Sequence, residues 1–195
     1  MVPFVGLTGG IGAGKSTALA ALERLGCAVL STDVVVHELY ESDEVRDQVV
    51  TRFGPEVAPG GVVDRGVLAG RAFAAPEDRG WLEGILWPRV GARMAGWRES
   101  VDVADPAPCA AVVEVPLLFE SGMEGAFDAT IAVVADEAVR SERAEARGHE
   151  ALDERARRQL TQSEKAQRAT FVVVNDSTVE ELERKLSVVL DKLGR

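Results

Sequence analysis

The sequence contains few of the residues that build disulfide frameworks or metal clusters. Only two cysteines and two histidines occur among 195 residues, and their spacing fits no zinc motif. Cys27 and Cys109 each lie in an apolar stretch, so we expect two buried, reduced thiols rather than a disulfide. No apolar run approaches the roughly 20 residues that a membrane-spanning helix needs. These absences exclude a disulfide-stapled or zinc-stapled domain and argue against a membrane protein.

Basic residues are also outnumbered. The chain has 22 Lys and Arg against 32 Asp and Glu, a formal net charge of −10. A protein this acidic repels polyphosphate backbones, so we expect no nucleic-acid partner. The first residues show neither a basic segment nor a small-residue cleavage pattern, which predicts a cytoplasmic protein. The oligomeric state stays open, with a monomer as the simplest expectation.

Short apolar runs alternate with segments long enough for helices. Runs rich in Val and Ala predict strands at 2–8, 27–30, 110–115, 130–135 and 171–174. Leucines at helical spacing predict a helix over 16–25 that Gly26 ends, and Ser177 with Glu180 predicts the start of a final helix. This alternation predicts an α/β fold, a five-stranded parallel sheet covered by helices, with strands buried on both faces.

Two stretches interrupt the alternation. Residues 38–105 separate the second and third predicted strands by far more than one crossover helix requires, which predicts a helical insertion with its own small core. Residues 137–168 are rich in arginine and polar residues and contain few large apolar ones. The strand–helix alternation of the sheet therefore does not account for either stretch.

A glycine-rich loop follows the first strand. Residues 9–17 fit G-x-x-x-x-G-K-[ST], with a predicted strand before and a helix after. Glycines let backbone N–H groups turn toward a phosphate, Lys15 can reach the outer phosphates, and the Ser16 hydroxyl can bind Mg²⁺. We expect ATP and Mg²⁺ here, with the nucleotide bound by Gly10, Ile11, Gly12, Ala13, Gly14, Lys15, Ser16 and Thr17. The dinucleotide fingerprint G-x-G-x-x-G needs another glycine spacing, which disfavours a hydride-transfer enzyme.

Kinases, GTPases, ATPases and motors share this loop, but the rest of the chain resembles one family. The resemblance is carried by residues 7–17, 29–33, 64–65, 114–120 and 165–169, and by Asn175. In this order they are similar to the dephospho-CoA kinase family, whose fold is that of P-loop kinases related to nucleoside-monophosphate kinases. The resemblance implies transfer of phosphate from ATP to the ribose 3′-hydroxyl of dephospho-CoA, the last step of coenzyme A biosynthesis.

The resemblance also implies a domain plan. One domain would cover 1–195, with a core of 1–37, 106–136 and 169–195. The insertion at 38–105 would bind the acceptor, and the stretch at 137–168 would form a lid. The partners implied are ATP and dephospho-CoA.

Several residues acquire candidate roles from the resemblance. Asp33, which the strand prediction places at the end of the second strand, matches the catalytic base, although Ser31 replaces the family's first Asp. Lys15 and the lid residues Arg143 and Arg155 would neutralise charge on the transferred group. Arg65 and Leu117, with Asp33, would contact the acceptor.

The remaining candidates complete the nucleotide site. Glu114 would contact Mg²⁺ through water, and Asn175 would meet the adenine. Trp87 stands where the family has His, and we expect it to pack rather than stack on a base. A kinase of another nucleotide or nucleoside stays open as an alternative. A nucleotide-dependent switch protein is disfavoured, because the sequence contains no guanine-reading motif.

Overall fold

A computed structural model describes residues 1–145 and 159–194. In chain order the elements are β1 (Phe4–Gly9), α1 (Lys15–Arg24), β2 (Ala28–Ser31), α2 (Thr32–Glu41), α3 (Asp43–Phe53), α4 (Arg65–Ala72), α5 (Pro76–Asp102), β3 (Ala111–Glu114), β4 (Ala129–Val134), α6 (Glu137–Glu145), α7 (Gln162–Arg168), β5 (Phe171–Val174) and α8 (Val179–Leu193). The chain forms two compact units, one of Met1–Ser31 with Arg98–Arg195 and one of Thr32–Trp97.

The first unit contains a parallel sheet with the strand order β2-β3-β1-β4-β5. Its middle strand is β1, where Gly6 pairs with Val113 of β3 and with Thr130 of β4. The α/β fold and the five-stranded parallel sheet are therefore confirmed. Because the chain leaves β1 toward one side of the sheet and returns to the other side at β4, β1 ends at a topological switch point, where such sheets bind ligands.

Burial differs between the middle of the sheet and its edge. All four residues of β3 are buried, but Val172 and Val174 of β5 are 45% and 42% exposed. Side chains alternate along a strand, so Val173 is buried in the core with Leu182 and Leu186 of α8, and Phe171 packs against that core while partly buried. The prediction of burial on both faces is therefore wrong for β5, an edge strand.

Local chemistry decides at which residues α1 ends and α8 begins. Gly26 ends α1 as predicted, with a φ of 87°, and the N–H groups of Gly26 and Cys27 bond to the carbonyls of Glu23 and Leu22. The predicted start of α8 is wrong by one residue, since Thr178 rather than Ser177 is the N-cap. The Thr178 hydroxyl accepts a hydrogen bond from the Glu181 N–H at 3.3 Å.

The second unit is helical and has its own apolar core. Its buried residues come from α3, α4, α5 and the turns between them: Val45, Val49, Phe53, Val57, Ala58, Val63, Leu68, Ala72, Leu82 and Leu86. The Trp81 ring packs edge-on against Phe53, with centroids 5.6 Å apart. Trp87 is 48% exposed, so the expectation that it packs is wrong; it follows the buried Leu86 and lies on another face of α5.

The two cysteines lie in the first unit. Both are free; Cys27 is buried and Cys109 is exposed, with their sulfurs 3.2 Å apart. The expectation of two buried thiols is thus wrong for Cys109. Burial raises the pKa of the Cys27 thiol. Among residues 1–145 and 159–194, no helix has the length and apolarity to cross a membrane.

Candidate active site

The glycine-rich loop connects the middle strand of the sheet to α1. Gly12 and Gly14 have φ values of 75° and 89°, a left-handed conformation that favours glycine. Gly14 is the N-cap of α1, which begins at Lys15. The positive end of the α1 dipole and successive backbone N–H groups therefore lie together, the arrangement that binds anions in proteins.

Close neighbours give the loop glycines a second role. A Cβ on Gly12 would lie 2.5 Å from the Arg140 carbonyl oxygen. A Cβ on Gly9 would collide with the Val133 carbonyl oxygen, and one on Gly14 would collide with the Asn175 amide nitrogen. Phosphate binding is thus one reason for glycine at these positions, and the close tertiary neighbours are a second.

Two polar side chains of the motif lie at the loop. The Lys15 ammonium donates to the carbonyls of Gly9 and Gly10 at 3.0 and 3.1 Å, so its side chain folds back over the loop. Ser16 is exposed as the second residue of α1. A cation and a hydroxyl therefore accompany the N–H groups.

Asn175 and Arg143 meet the loop from other elements. Asn175 follows β5 and is buried, and its amide donates to the Ala13 carbonyl at 2.9 Å. Arg143, on α6, donates to the Asn175 carbonyl at 3.0 Å. The fold thus brings two of the predicted residues, which are 32 positions apart in the sequence, into one cluster with the loop.

Two further residues reach the loop region, and sequence reasoning did not single them out. The Arg140 guanidinium donates to the Ile11 carbonyl at 2.9 Å and pairs with Glu137 at 2.6 Å. The Gln162 side chain bonds to both the N–H and the carbonyl of Ala135, just past β4. Arg140 precedes Arg143 by one helical turn, so the i, i+3 spacing could have indicated that both approach the loop.

A cavity opens beside the loop within the first unit. It has a volume of about 390 Å³, within the size range of small-molecule sites. Its lining includes Gly10 and Ile11 of the loop, together with Arg140, Leu160 and Gln162. The cavity therefore adjoins the loop that the motif assigns to phosphate.

The segment that follows β3 contains residues 116–120, Pro-Leu-Leu-Phe-Glu, which are part of the stretch that carries the family resemblance. Leu118 and Phe119 are buried, and a Cβ on Gly6 would lie 3.1 Å from the Leu118 side chain. Leu117 is only partly buried. The last residue of the pattern, Glu120, forms an ion pair with Lys165 at 2.9 Å. Two buried side chains and an ion pair thus hold this segment in place, while Leu117 stays partly exposed.

Three further predicted residues belong to α2, to α4 or to the undescribed part of the chain. Asp33 is exposed in the first turn of α2 rather than at a strand end, because β2 stops at Ser31 and the helix begins at Thr32. An acidic residue is favourable there because of the helix dipole. Arg65 is exposed as the first residue of α4 in the second unit. Arg155 lies outside the described residues.

Glu114 is the last residue of β3 and is buried, in register with Leu7 of β1 and Ser31 of β2. In the part of the chain that the structure describes, no group of three or more His, Cys, Asp or Glu residues could hold a metal ion. The assignment of Mg²⁺ to Ser16 and Glu114 stays a prediction.

Comparison with known proteins identifies the family. A family model for dephospho-CoA kinase matches residues 3–181. The chain belongs to the dephospho-CoA kinase family. A dephospho-CoA kinase of Deinococcus radiodurans is 41% identical over 194 residues, which cover 97% of this chain and 91% of that protein.

Solved structures agree with this family. A crystal structure from Thermus thermophilus is similar with a TM-score of 0.82 at 35% identity, covering 98% of both chains. A dephospho-CoA kinase from Campylobacter jejuni has a TM-score of 0.70 at 23% identity, covering 98% of this chain and 96% of that one, and supports the fold alone. The chain is therefore an enzyme of the kinase class that uses ATP, and the hydride-transfer and switch-protein alternatives are set aside.

Proposed function

We propose that this chain transfers the terminal phosphoryl group of ATP to the ribose 3′-hydroxyl of dephospho-CoA, giving coenzyme A and ADP. The observation that carries the proposal is the complete phosphate loop inside a family match over residues 3–181. Phosphoryl transfer requires positioning and charge neutralisation rather than a covalent intermediate. The following roles meet those two requirements.

The loop binds the triphosphate in this proposal. The N–H groups of residues 10–17 and the start of α1 bind the phosphates, and Lys15 leaves the carbonyls of Gly9 and Gly10 to contact the outer ones. A phosphate oxygen is the stronger acceptor for an ammonium, because a bond between two charged groups exceeds one to a neutral carbonyl.

Arginines at the loop neutralise charge on the transferred group. Arg143 has a cationic group close to the loop, since its nitrogen lies 3.7 Å from the position of a Cβ on Gly14. Arg155 is assigned the same role by the family resemblance alone. Asn175 holds the loop through Ala13, and the family resemblance alone assigns it the contact with the nucleotide's adenine.

The acceptor side of the proposal rests on the resemblance. Asp33 accepts the proton of the attacking hydroxyl, and its exposed carboxylate supports this role because a base must be reachable by substrate. Arg65 and Leu117 contact the acceptor. The insertion at 38–105 binds dephospho-CoA and the stretch at 137–168 forms a lid, in a cytoplasmic enzyme that we take to be a monomer.

The residues near the loop fit Mg²⁺. The ion prefers oxygen ligands and takes few from protein, keeping water and phosphate oxygens as the rest. Ser16 offers an exposed hydroxyl next to the phosphate site, and Glu114 offers a carboxylate at the neighbouring strand end. When bound, the ion would supply charge neutralisation to the phosphates.

An assay that couples ADP release to a spectroscopic signal tests the proposal. We expect turnover with ATP and dephospho-CoA, and none with AMP, CMP or a nucleoside as acceptor. Lys15→Ala should lose most of this turnover, whereas Lys192→Ala, at an exposed position of α8, should keep it. Turnover with only another nucleotide or nucleoside would favour the alternative kinase. ATP binding without acceptor-dependent turnover would contradict the proposal.

A further inference from the structure

Lys165 on α7 is a fully buried cation. Its side chain has no exposed surface, and the ammonium donates to the Pro116 carbonyl at 2.7 Å and to Glu120 at 2.9 Å. Its third contact is the Thr8 hydroxyl, at 3.3 Å. Burial lowers the pKa of Lys165, and Glu120 opposes that shift. All three N–H donors of the ammonium thus have partners.

These contacts join segments that surround the phosphate loop. Thr8 directly precedes Gly9, the first residue of the loop, and Pro116 lies two residues past β3. Glu120 also accepts a hydrogen bond from the Leu160 N–H at 2.8 Å, two residues before α7 begins. One ammonium therefore connects the strand that leads into the loop with the segment that leads into α7.

A second attachment holds the same helix. Gln162, at the first position of α7, bonds to both backbone groups of Ala135 beyond β4, at 2.9 and 2.8 Å. Gln162 and Leu160 both line the cavity beside the loop, together with Gly10. The position of α7 thus affects the lining of that cavity, and Thr8 lies two residues before Gly10, which also lines it.

A buried ion pair is a poor means of adding stability alone. Well-packed apolar residues of the same volume often stabilise a fold equally well, because burying two charges has a large desolvation cost. The ion pair instead fixes how the bonded segments are placed, since each hydrogen bond restricts the distance and angle between two of them. Such geometry matters most next to a site whose chemistry depends on position.

We propose that Lys165 is a positioning residue for phosphoryl transfer, which acts through Thr8 on the phosphate loop and through Glu120 on the segment entering α7. The inference rests on the proposed function, since it names a residue that the same site requires. Lys165 acts through these neighbours and not on the reacting atoms.

Lys165→Met tests the role, with Lys192→Met as the matched control. Methionine keeps an unbranched side chain that is one atom shorter and removes the charge and the donors, and Lys192 is exposed on α8. Below the melting temperature, we expect Lys165→Met to lower kcat about 100-fold, the effect of a misplacement of about 1 Å, and to raise the KM for ATP. Lys192→Met should stay within about twofold of wild type.

The double variant Lys165→Met with Glu120→Gln separates positioning from stability. It removes the unpaired carboxylate, so we expect the melting temperature to recover in part while kcat stays low. A kcat that recovers together with the melting temperature would show a merely structural role and overturn the proposal. A folded Lys165→Met variant with wild-type kcat would overturn it as well.

Two further outcomes remain decisive. If Lys165→Met does not fold, Glu120→Gln alone decides, because it keeps the shape of the side chain and weakens the same network; unchanged kcat would overturn the proposal. If the wild type shows no turnover with dephospho-CoA, the proposed function fails instead. ATP affinity, measured by calorimetry, then tests Lys165 by itself, and equal affinity in the wild type and in Lys165→Met would refute its role.

Discussion

Glycine can be required because of a positive φ or because of a close neighbour, and alanine substitutions at Gly12 and at Gly26 separate these two reasons. Both residues have positive φ, 75° and 87°, so alanine costs about 1–2 kcal/mol of backbone strain at either position. A Cβ on Gly26 would meet nothing within 4 Å, whereas one on Gly12 would lie 2.5 Å from the Arg140 carbonyl oxygen. Because ordinary contact begins at 3.4 Å, the loop and Arg140 would have to separate by about 0.9 Å.

The two variants should therefore differ in activity. We expect Gly26→Ala to lower the melting temperature by about 2–8 °C and to keep its kcat/KM. Gly12→Ala should lose at least as much stability, and its kcat/KM should fall about 100-fold because the phosphate loop is displaced by nearly 1 Å. Thermal unfolding followed by circular dichroism and the coupled ADP assay measure the two effects.

Two results would contradict a role of the Arg140 contact in positioning the loop. If Gly12→Ala keeps kcat/KM within about twofold of wild type, the close approach of Arg140 does not determine the position of the loop. If Gly26→Ala loses activity to the same extent, backbone strain alone explains both variants, and the contact with Arg140 contributes nothing.

Three further predictions concern single residues. Asp33→Asn should keep ATP affinity and lose kcat about 100-fold or more in the coupled assay, because the amide cannot accept the proton; near-normal turnover would remove Asp33 from the role of base. Trp81→Ala should lower the free energy of unfolding in urea by about 3 kcal/mol and Trp87→Ala by under about 1 kcal/mol, since only Trp81 packs on Phe53; equal losses would contradict the difference in packing. Iodoacetamide should alkylate the exposed Cys109 in the folded protein, whereas burial raises the pKa of its neighbour and protects it; peptide mass mapping that finds equal labelling would contradict this.

Features that depend on local chemistry could be predicted from the sequence. The alternation of apolar runs predicted the parallel sheet, and Gly26 predicted the end of α1. Strand ends were less predictable, because hydrogen bonds to a neighbouring strand decide where a strand stops. Asp33 is an example, since the pairing of Ser31 with Glu114 is the last of β2 and the helix starts one residue later.

Residues that act through distant neighbours could not be predicted in this way. Arg140 bonds to Ile11 across 129 positions of the chain, and Lys165 bonds to Thr8 across 157. The i, i+3 spacing relates Arg140 to Arg143 within α6, but no spacing rule brings either segment to the loop, because the strand order decides which segments meet. Lys165 by itself is an ordinary charged residue of a short helix, and only the fold buries it.

The sequence by itself determined the chemistry of the phosphate loop, because backbone N–H groups, a lysine and a hydroxyl within nine consecutive residues are enough to bind a triphosphate. The tertiary structure decided which other groups meet that loop. With β1 between β3 and β4, the segments after these two strands lie beside β1 and the loop that follows it, where Glu120 pairs with Lys165 and Arg140 bonds to Ile11. The physical reason is that charges and hydrogen bonds act over a few ångströms of space, whatever their separation in the sequence.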